Sequence, residues 1–163
     1  MKRVMVIGCP GSGKSTLSRE LHKITGLPLF CLDMMYWNPD RTKVDKAVFR
    51  KSLFDVLLTD EWIIDGNYGS TMEQRMQVCD TVIFLDYPLR VCLDGVLERR
   101  GKERPDMPWV ERANEIDVDF LDFIKSFNAE SRPNIIELLE KYSYKNVIIL
   151  KSRDEADEFL KRL

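Results

Sequence analysis

Val4-Met5-Val6-Ile7-Gly8-Cys9-Pro10-Gly11-Ser12-Gly13-Lys14-Ser15-Thr16 is the stretch around which the chain is organised. Gly8 to Ser15 fits G-x-x-x-x-G-K-[ST], the pattern of a phosphate-binding loop. A β-branched run precedes it, and an amphipathic helix follows, with Leu17, Leu21 and Ile24 at i, i+4 and i+7. Gly8, Gly11 and Gly13 let the backbone curl, so that the N–H groups of Pro10-Gly11-Ser12-Gly13-Lys14-Ser15-Thr16 other than proline's converge on an anion at the positive end of a helix. Lys14 is expected to reach the β- and γ-phosphates of a nucleotide, and the Ser15 hydroxyl to ligate Mg²⁺.

With 163 residues, 44% apolar and 32% charged, the chain has the size and composition of one globular domain with a full core. Met1 leads almost at once into the first strand, which leaves no room for a signal peptide, and no apolar run is long enough to span a membrane. Cys9, Cys31, Cys79 and Cys92 lack C-x-x-C spacing and read as reduced, mostly buried thiols. The expected location is the cytoplasm. A net charge of −2 offers no footprint for non-specific nucleic-acid binding. The one basic cluster, Arg99, Arg100, Lys102 and Arg104, is small for tracking a nucleic-acid backbone but sufficient to clamp a triphosphate.

Strands are expected at 2–7, 28–32, 61–64, 81–85 and 146–150. Helical patterns separate them, over 15–25, 45–58, 70–77, 88–100, 111–127 and 133–142, and a last helix covers 153–163. Strands alternating with helices predict right-handed β-α-β units: an α/β fold whose parallel sheet is buried on both faces, with the phosphate loop on a central strand. Residues 102–108 show no apolar period and read as a surface loop, whereas the stripe Phe120, Phe123 and Phe127 is most simply core.

Asp33, Asp65 and Asp86 each follow an apolar strand and so fall on the catalytic edge of the sheet, although a single Asp there can be only a turn former. Asp86 has the placement of the carboxylate that holds the Mg²⁺ water shell, and Asp65 could share that task. Asp33 lies nearer an acceptor pocket and could orient an acceptor or act as general base for its hydroxyl. Arg99, Arg100 and Arg104 suit a lid that folds over a nucleotide, with Arg112 and Arg132 as further members of the clamp. Tyr36, Trp37 and Tyr68 could stack on an acceptor ring or could cover the edge of the core.

These residues together resemble the adenylate-kinase-like family of small phosphate-loop kinases. More closely, the chain is similar to the bacterial group labelled topology modulation proteins. The likeness runs through the phosphate loop, Thr25-Gly26-Leu27-Pro28-Leu29, Leu32-Asp33-Met34-Met35-Tyr36-Trp37, Trp62-Ile63-Ile64-Asp65-Gly66-Asn67-Tyr68, Asp80 to Pro88 and Arg104-Pro105-Asp106-Met107-Pro108. The resemblance implies a P-loop NTPase fold with five parallel strands, an acceptor-binding segment around 34–60, a short lid around 100–110, and ATP with Mg²⁺ as donor. It also implies that the Leu150-Lys151-Ser152 turn lies against the adenine, and that Arg99 grips phosphate. Two departures stand out. Asp65-Gly66 leads to Asn67-Tyr68 where adenylate kinases carry Phe-Pro-Arg, so either Arg75 substitutes at the acceptor, with Asn67 and Tyr68 beside it, or the acceptor is not a nucleoside monophosphate. Gly95 stands where they place an arginine against the base.

The expected activity is transfer of the ATP γ-phosphoryl group to a small-molecule acceptor, a nucleotide or nucleoside among the candidates. The alternative is a nucleotide-dependent regulatory or DNA-topology-associated protein, which would need a basic face that the charge balance argues against. A GTPase switch is a weak third reading, because no Asp-x-x-Gly follows the third strand and no Asn-Lys-x-Asp guanine motif occurs.

Overall fold

The computed structural model describes residues 1–112, 114 and 117–163. Five strands form one parallel sheet: β1 (Arg3–Gly8), β2 (Leu29–Cys31), β3 (Trp62–Asp65), β4 (Thr81–Leu85) and β5 (Asn146–Leu150). Their order is β2-β3-β1-β4-β5. Val4 to Ile7, Trp62 to Ile64 and Val82 to Phe84 are fully buried, as continuous apolar runs must be when helices cover both faces. The chain winds outward from β1 to β2 on one side and to β4 and β5 on the other. The point of reversal lies at β1, and the phosphate loop emerges there.

Seven helices are seen among the described residues: α1 (Lys14–Thr25), α2 (Leu32–Tyr36), α3 (Lys46–Leu57), α4 (Gly69–Val78), α5 (Leu89–Glu98), α6 (Val118–Lys141) and α7 (Arg153–Lys161). Local chemistry sets their ends. Gly26, at φ 72°, closes α1 and donates its N–H to the His22 carbonyl. The Asp45 carboxylate caps α3 by accepting from the N–H groups of Ala47 and Val48, and Ser152 caps α7 through Glu155.

Two expectations are corrected. The extended run at 28–32 ends early, and Leu32 to Tyr36 forms a short helix, so Asp33 lies in its first turn and not at a strand tip. The helix expected at 111–127 begins only at Val118, and it runs on through 128–132 into the pattern at 133–142 as one helix, α6, with Pro133 inside it. Proline removes one N–H but does not forbid a helix, and the Asn134 side-chain amide donates to the Glu130 carbonyl in the turn so affected. Ile116, counted in the apolar stripe, lies outside the described residues.

Strand register decides which groups meet at the site. Asp65 pairs with Val6, two residues before Gly8, so its carboxylate stands beneath the start of the phosphate loop. Gly8 pairs with Leu85, and α5 then returns across the loop at close range. A Cβ on Gly11 would stand 2.0 Å from the Cys92 carbonyl oxygen, and one on Gly95 would stand 2.2 Å from that of Gly11. Glycine at both positions lets two backbones touch.

Candidate functional site

The phosphate loop is held from both ends. The Asn67 side chain accepts from the Gly8 N–H at 3.0 Å and donates to the Gly8 carbonyl at 2.7 Å, and the Ser12 N–H donates to the Cys9 carbonyl at 3.1 Å. Asn67, expected at the acceptor, lines the larger of the two cavities at the site, and its amide also fixes the entrance to the loop. Gly13 has φ 93° with open space where a Cβ would point, and no side chain caps α1. The first N–H groups of α1 thus face an open anion site. The buried Ser12 hydroxyl has no partner and borders the same space. Lys14 Nζ donates to the Cys9 carbonyl at 3.2 Å, and burial lowers its pKa against the opposing pull of Asp65 and Asp33. Pro10 lines the neighbouring cavity, and Thr16 is exposed at the helix start.

Of the three strand-following carboxylates, Asp65 is the one that meets the loop. Ser15 Oγ donates to Asp65 Oδ2 at 2.5 Å, and the buried Oδ1 has no partner. Burial pushes the Asp65 carboxyl up to about 6, offset by Lys14 and by the Ser15 bond. Asp86, expected at the metal, is bound on both oxygens by Arg132, at 2.7 and 2.8 Å, and lines neither site cavity. The same ion pair removes Arg132 from the expected clamp. A carboxylate absent from the expectations, Asp106, is 4% exposed. Burial would raise it, but the Arg104 guanidinium, joined to it at 2.5 Å, holds it below the usual carboxylate range.

The Asp65 value has a measurable consequence. Protonation removes the charge that a magnesium nucleotide would meet, so affinity should fall as pH drops through about 6. The slope should approach roughly tenfold per pH unit below that point. Calorimetric titration with magnesium nucleotide between about pH 5 and 8 checks this, and Asp65→Asn should flatten the profile.

On the other side of the loop, Tyr68 Oη donates to Asp33 Oδ1 at 2.5 Å. Tyr68 sits at φ 38°, uncommon for a residue with a side chain, and packs against Tyr36 and Phe49 at 4.9 and 5.5 Å between ring centroids. Tyr36 lies edge-on to Trp37 and Phe49 and does not line the cavity, so it covers the core edge. Trp37 does line it, 5.6 Å from the Trp109 ring. Arg75 does not reach the acceptor space. It is 0% exposed, and its donors go to the carbonyls of Gly66, Asn67 and Tyr68. It therefore holds the loop that carries Tyr68 in its left-handed conformation. Arg75→Met should cost about 2–4 kcal/mol, since three buried carbonyls lose their charged donor. Urea unfolding reads that loss.

Arg99 and Arg104 border both cavities and flank the phosphate loop. Arg99 lies over the Phe120 ring at 5.8 Å, its Nε is buried without a partner, and burial lowers its pKa. Arg104 pairs with Asp106 and, at 3.5 Å, with Glu111. Arg112 is exposed. Lys151 is exposed, its N–H donating to the Glu155 carboxylate, and it does not line the nucleotide cavity. Arg153, the first residue of α7, does. Its guanidinium lies 3.3 Å from where a Gly95 Cβ would stand.

Two adjoining cavities result. One, about 490 Å³, runs from the phosphate loop between α5 and α7, past Gly95, Glu98, Arg153 and Ala156. The other, about 850 Å³, opens from Lys14, Ser15 and Asp65 toward Asp33, Trp37, Trp109 and α6. Asp106, Trp109 and Arg153 escaped the sequence reading. The Arg-Pro-Asp-Met run signalled only a lid, and burial of its aspartate depends on packing against Arg19 and Arg104.

Comparison with known structures decides the fold. The chain superposes on shikimate kinase from Acinetobacter baumannii in complex with shikimate (TM-score 0.66, 15% identity, 99% of this chain and 90% of that one). It also superposes on shikimate kinase from Bacteroides thetaiotaomicron (TM-score 0.57, 20% identity, 99% and 95%). The fold is that of the small phosphate-loop kinases. By sequence the chain is 27% identical to an adenylate kinase of Thermotoga maritima over 110 residues, 63% of this chain, and it spans about half (49%) of that protein's length. No protein-family model matches the chain. No described helix is long and apolar enough to cross a membrane.

Proposed function

We propose that this protein is a Mg²⁺-dependent phosphotransferase that moves the γ-phosphoryl group of ATP to a hydroxyl of a small molecule. The observation that carries this reading is the juxtaposition, in one cavity, of the phosphate-loop residues Lys14 and Ser15 with Asp33, a carboxylate held in place by Tyr68. The donor set fits the implied ligands. Partnerless buried atoms on Ser12, Asp65 and Arg99 surround the loop, and Ser15 and Asp65 are oxygen donors of the kind Mg²⁺ takes. Bound there, the ion would neutralise charge on the phosphate oxygens.

The residues then divide the work. The loop amides and Lys14 bind the donor phosphates. Asp33 accepts the acceptor's hydroxyl proton as that oxygen bonds to the γ-phosphorus, and the bond to the β-bridging oxygen breaks with its electrons leaving on ADP. Arg99 and Arg104 face the transferring group, which requires Arg104 to exchange Asp106 for phosphate. Arg153 borders the smaller cavity and offers a guanidinium to a base there, so recognition of the base is assigned to α7 and not to the Lys151 turn. The shared fold of the two shikimate kinases and the adenylate kinase likeness support a small-molecule kinase. The likeness to the topology modulation group adds no DNA-handling surface to that reading.

Labelled ATP offered with Mg²⁺ and a panel of hydroxyl compounds tests the proposal. Label should pass to an acceptor, and magnesium ATP should raise the melting temperature. Hydrolysis without transfer to any acceptor, or an unmoved melting curve, counts against it.

A further inference from the structure

The larger cavity extends well beyond the groups assigned to phosphoryl transfer. It continues between α4 and α6, walled by Met72, Phe120, Phe127, Ile135 and Leu138. Phe123, expected in the core, also lines it and is 45% exposed, an aromatic surface open to a ligand. Among the described residues, Glu130 is the one charged side chain that α4 and α6 contribute, and Ser131 and Asn134 are the polar ones. The cations bordering this cavity lie elsewhere. Lys14, Arg100 and Arg104 belong to the phosphate end, Arg99 stands at the border over the Phe120 ring at 5.8 Å, and Arg41 lies over the Trp109 ring at 5.8 Å.

We propose that the stretch of cavity between α4 and α6 seats the body of the acceptor, and that this acceptor is a neutral or cationic hydroxyl compound with an apolar or aromatic body, not one bearing phosphate or carboxylate. The reaction it would undergo rests on the phosphotransferase reading; the seat itself does not. An anionic group moved past Phe120 toward Phe127 and Glu130 would leave behind the cations of the phosphate end, of which Arg99 lies over the Phe120 ring, lose hydration among apolar walls and meet a like charge at Glu130. A neutral ring gains by covering Phe123 and Phe127, and an ammonium gains further from Glu130. The cavity is continuous from Phe127 to Asp33, so a body seated there can present a hydroxyl to the carboxylate.

Calorimetry on the whole chain, with Mg²⁺ and a non-hydrolysable ATP analogue, tests this with matched pairs. One pair is a purine nucleoside and its 5′-monophosphate; the other is an aromatic amino alcohol and the corresponding aromatic hydroxy acid. The uncharged or cationic member of at least one pair should bind about tenfold or more tightly than its anionic partner. Asn134→Lys, and separately Glu130→Lys, both at exposed positions, should erase or reverse that preference while leaving affinity for the ATP analogue unchanged. Tighter or equal binding of the anionic members, binding of neither member, or a preference untouched by both lysine variants overturns the proposal. Absence of heat from the ATP analogue itself would instead strike the phosphotransferase reading, and the two failures are thereby distinguished.

Discussion

Replacing Lys14 with methionine should lower phosphoryl transfer by roughly a thousandfold while the protein stays folded. The magnitude follows from what the ammonium does at the transition state, where charge spreads over three phosphoryl oxygens in a site walled off from water. The sparing of stability follows from its surroundings. Burial already disfavours the charged form of Lys14, and its one hydrogen bond is to the Cys9 carbonyl, so methionine keeps the stem and removes a charge that costs desolvation. A second readout follows. Lys14 now pulls the Asp65 carboxyl down against burial, so its loss should move the acid limb of nucleotide affinity above about pH 6. Arginine is not expected to rescue, because a planar guanidinium does not replace a compact ammonium in the loop. Transfer rates within tenfold of the parent protein, with folding intact, would rule out the assigned role.

Asp33→Asn should cut transfer by roughly 10²–10⁴-fold and leave magnesium nucleotide affinity nearly unchanged, because it removes a proton acceptor on the acceptor side of the loop. Asparagine keeps an oxygen that can accept the Tyr68 hydroxyl, so the short α2 turn and the aromatic cluster of Tyr36, Phe49 and Tyr68 should hold. The loss then belongs to chemistry, not to packing. Single-turnover transfer measured beside nucleotide titration separates the two quantities. Nucleotide affinity lost with the transfer step intact would assign Asp33 to the metal side. The geometry points the other way, since Asp65 is the carboxylate that holds Ser15.

Much of the architecture was legible before any coordinates. The β-branched run, the glycines and the Lys-Ser pair between Val4 and Thr16 specify strand, loop and helix by local stereochemistry, and alternation of strand and helix patterns specifies a parallel sheet. Gly26, Asp45 and Ser152 act within a turn of where they stand, so the helix ends they set could be read directly. Pro133 could not, because whether a proline breaks a helix depends on what packs around it.

The assignments inside the site divide along the same line. A P-loop at the end of a buried strand follows from chain-local chemistry, and so does the presence of Asp33 and Asp65 at that edge. What Asp86, Arg75, Asn67 and Arg132 do was decided by partners as far as 59 residues away, as in the Gly8 and Asn67 pair. Each carries the residue type its expected role needs, but folding has engaged it elsewhere: by a guanidinium, by three carbonyls (with Arg75 Nε left buried without a partner), by the loop backbone, by a carboxylate. Tertiary structure alone could settle this, because a polar side chain serves a ligand either with groups that folding has left unsatisfied or, as proposed for Arg104, by exchanging a partner it already holds.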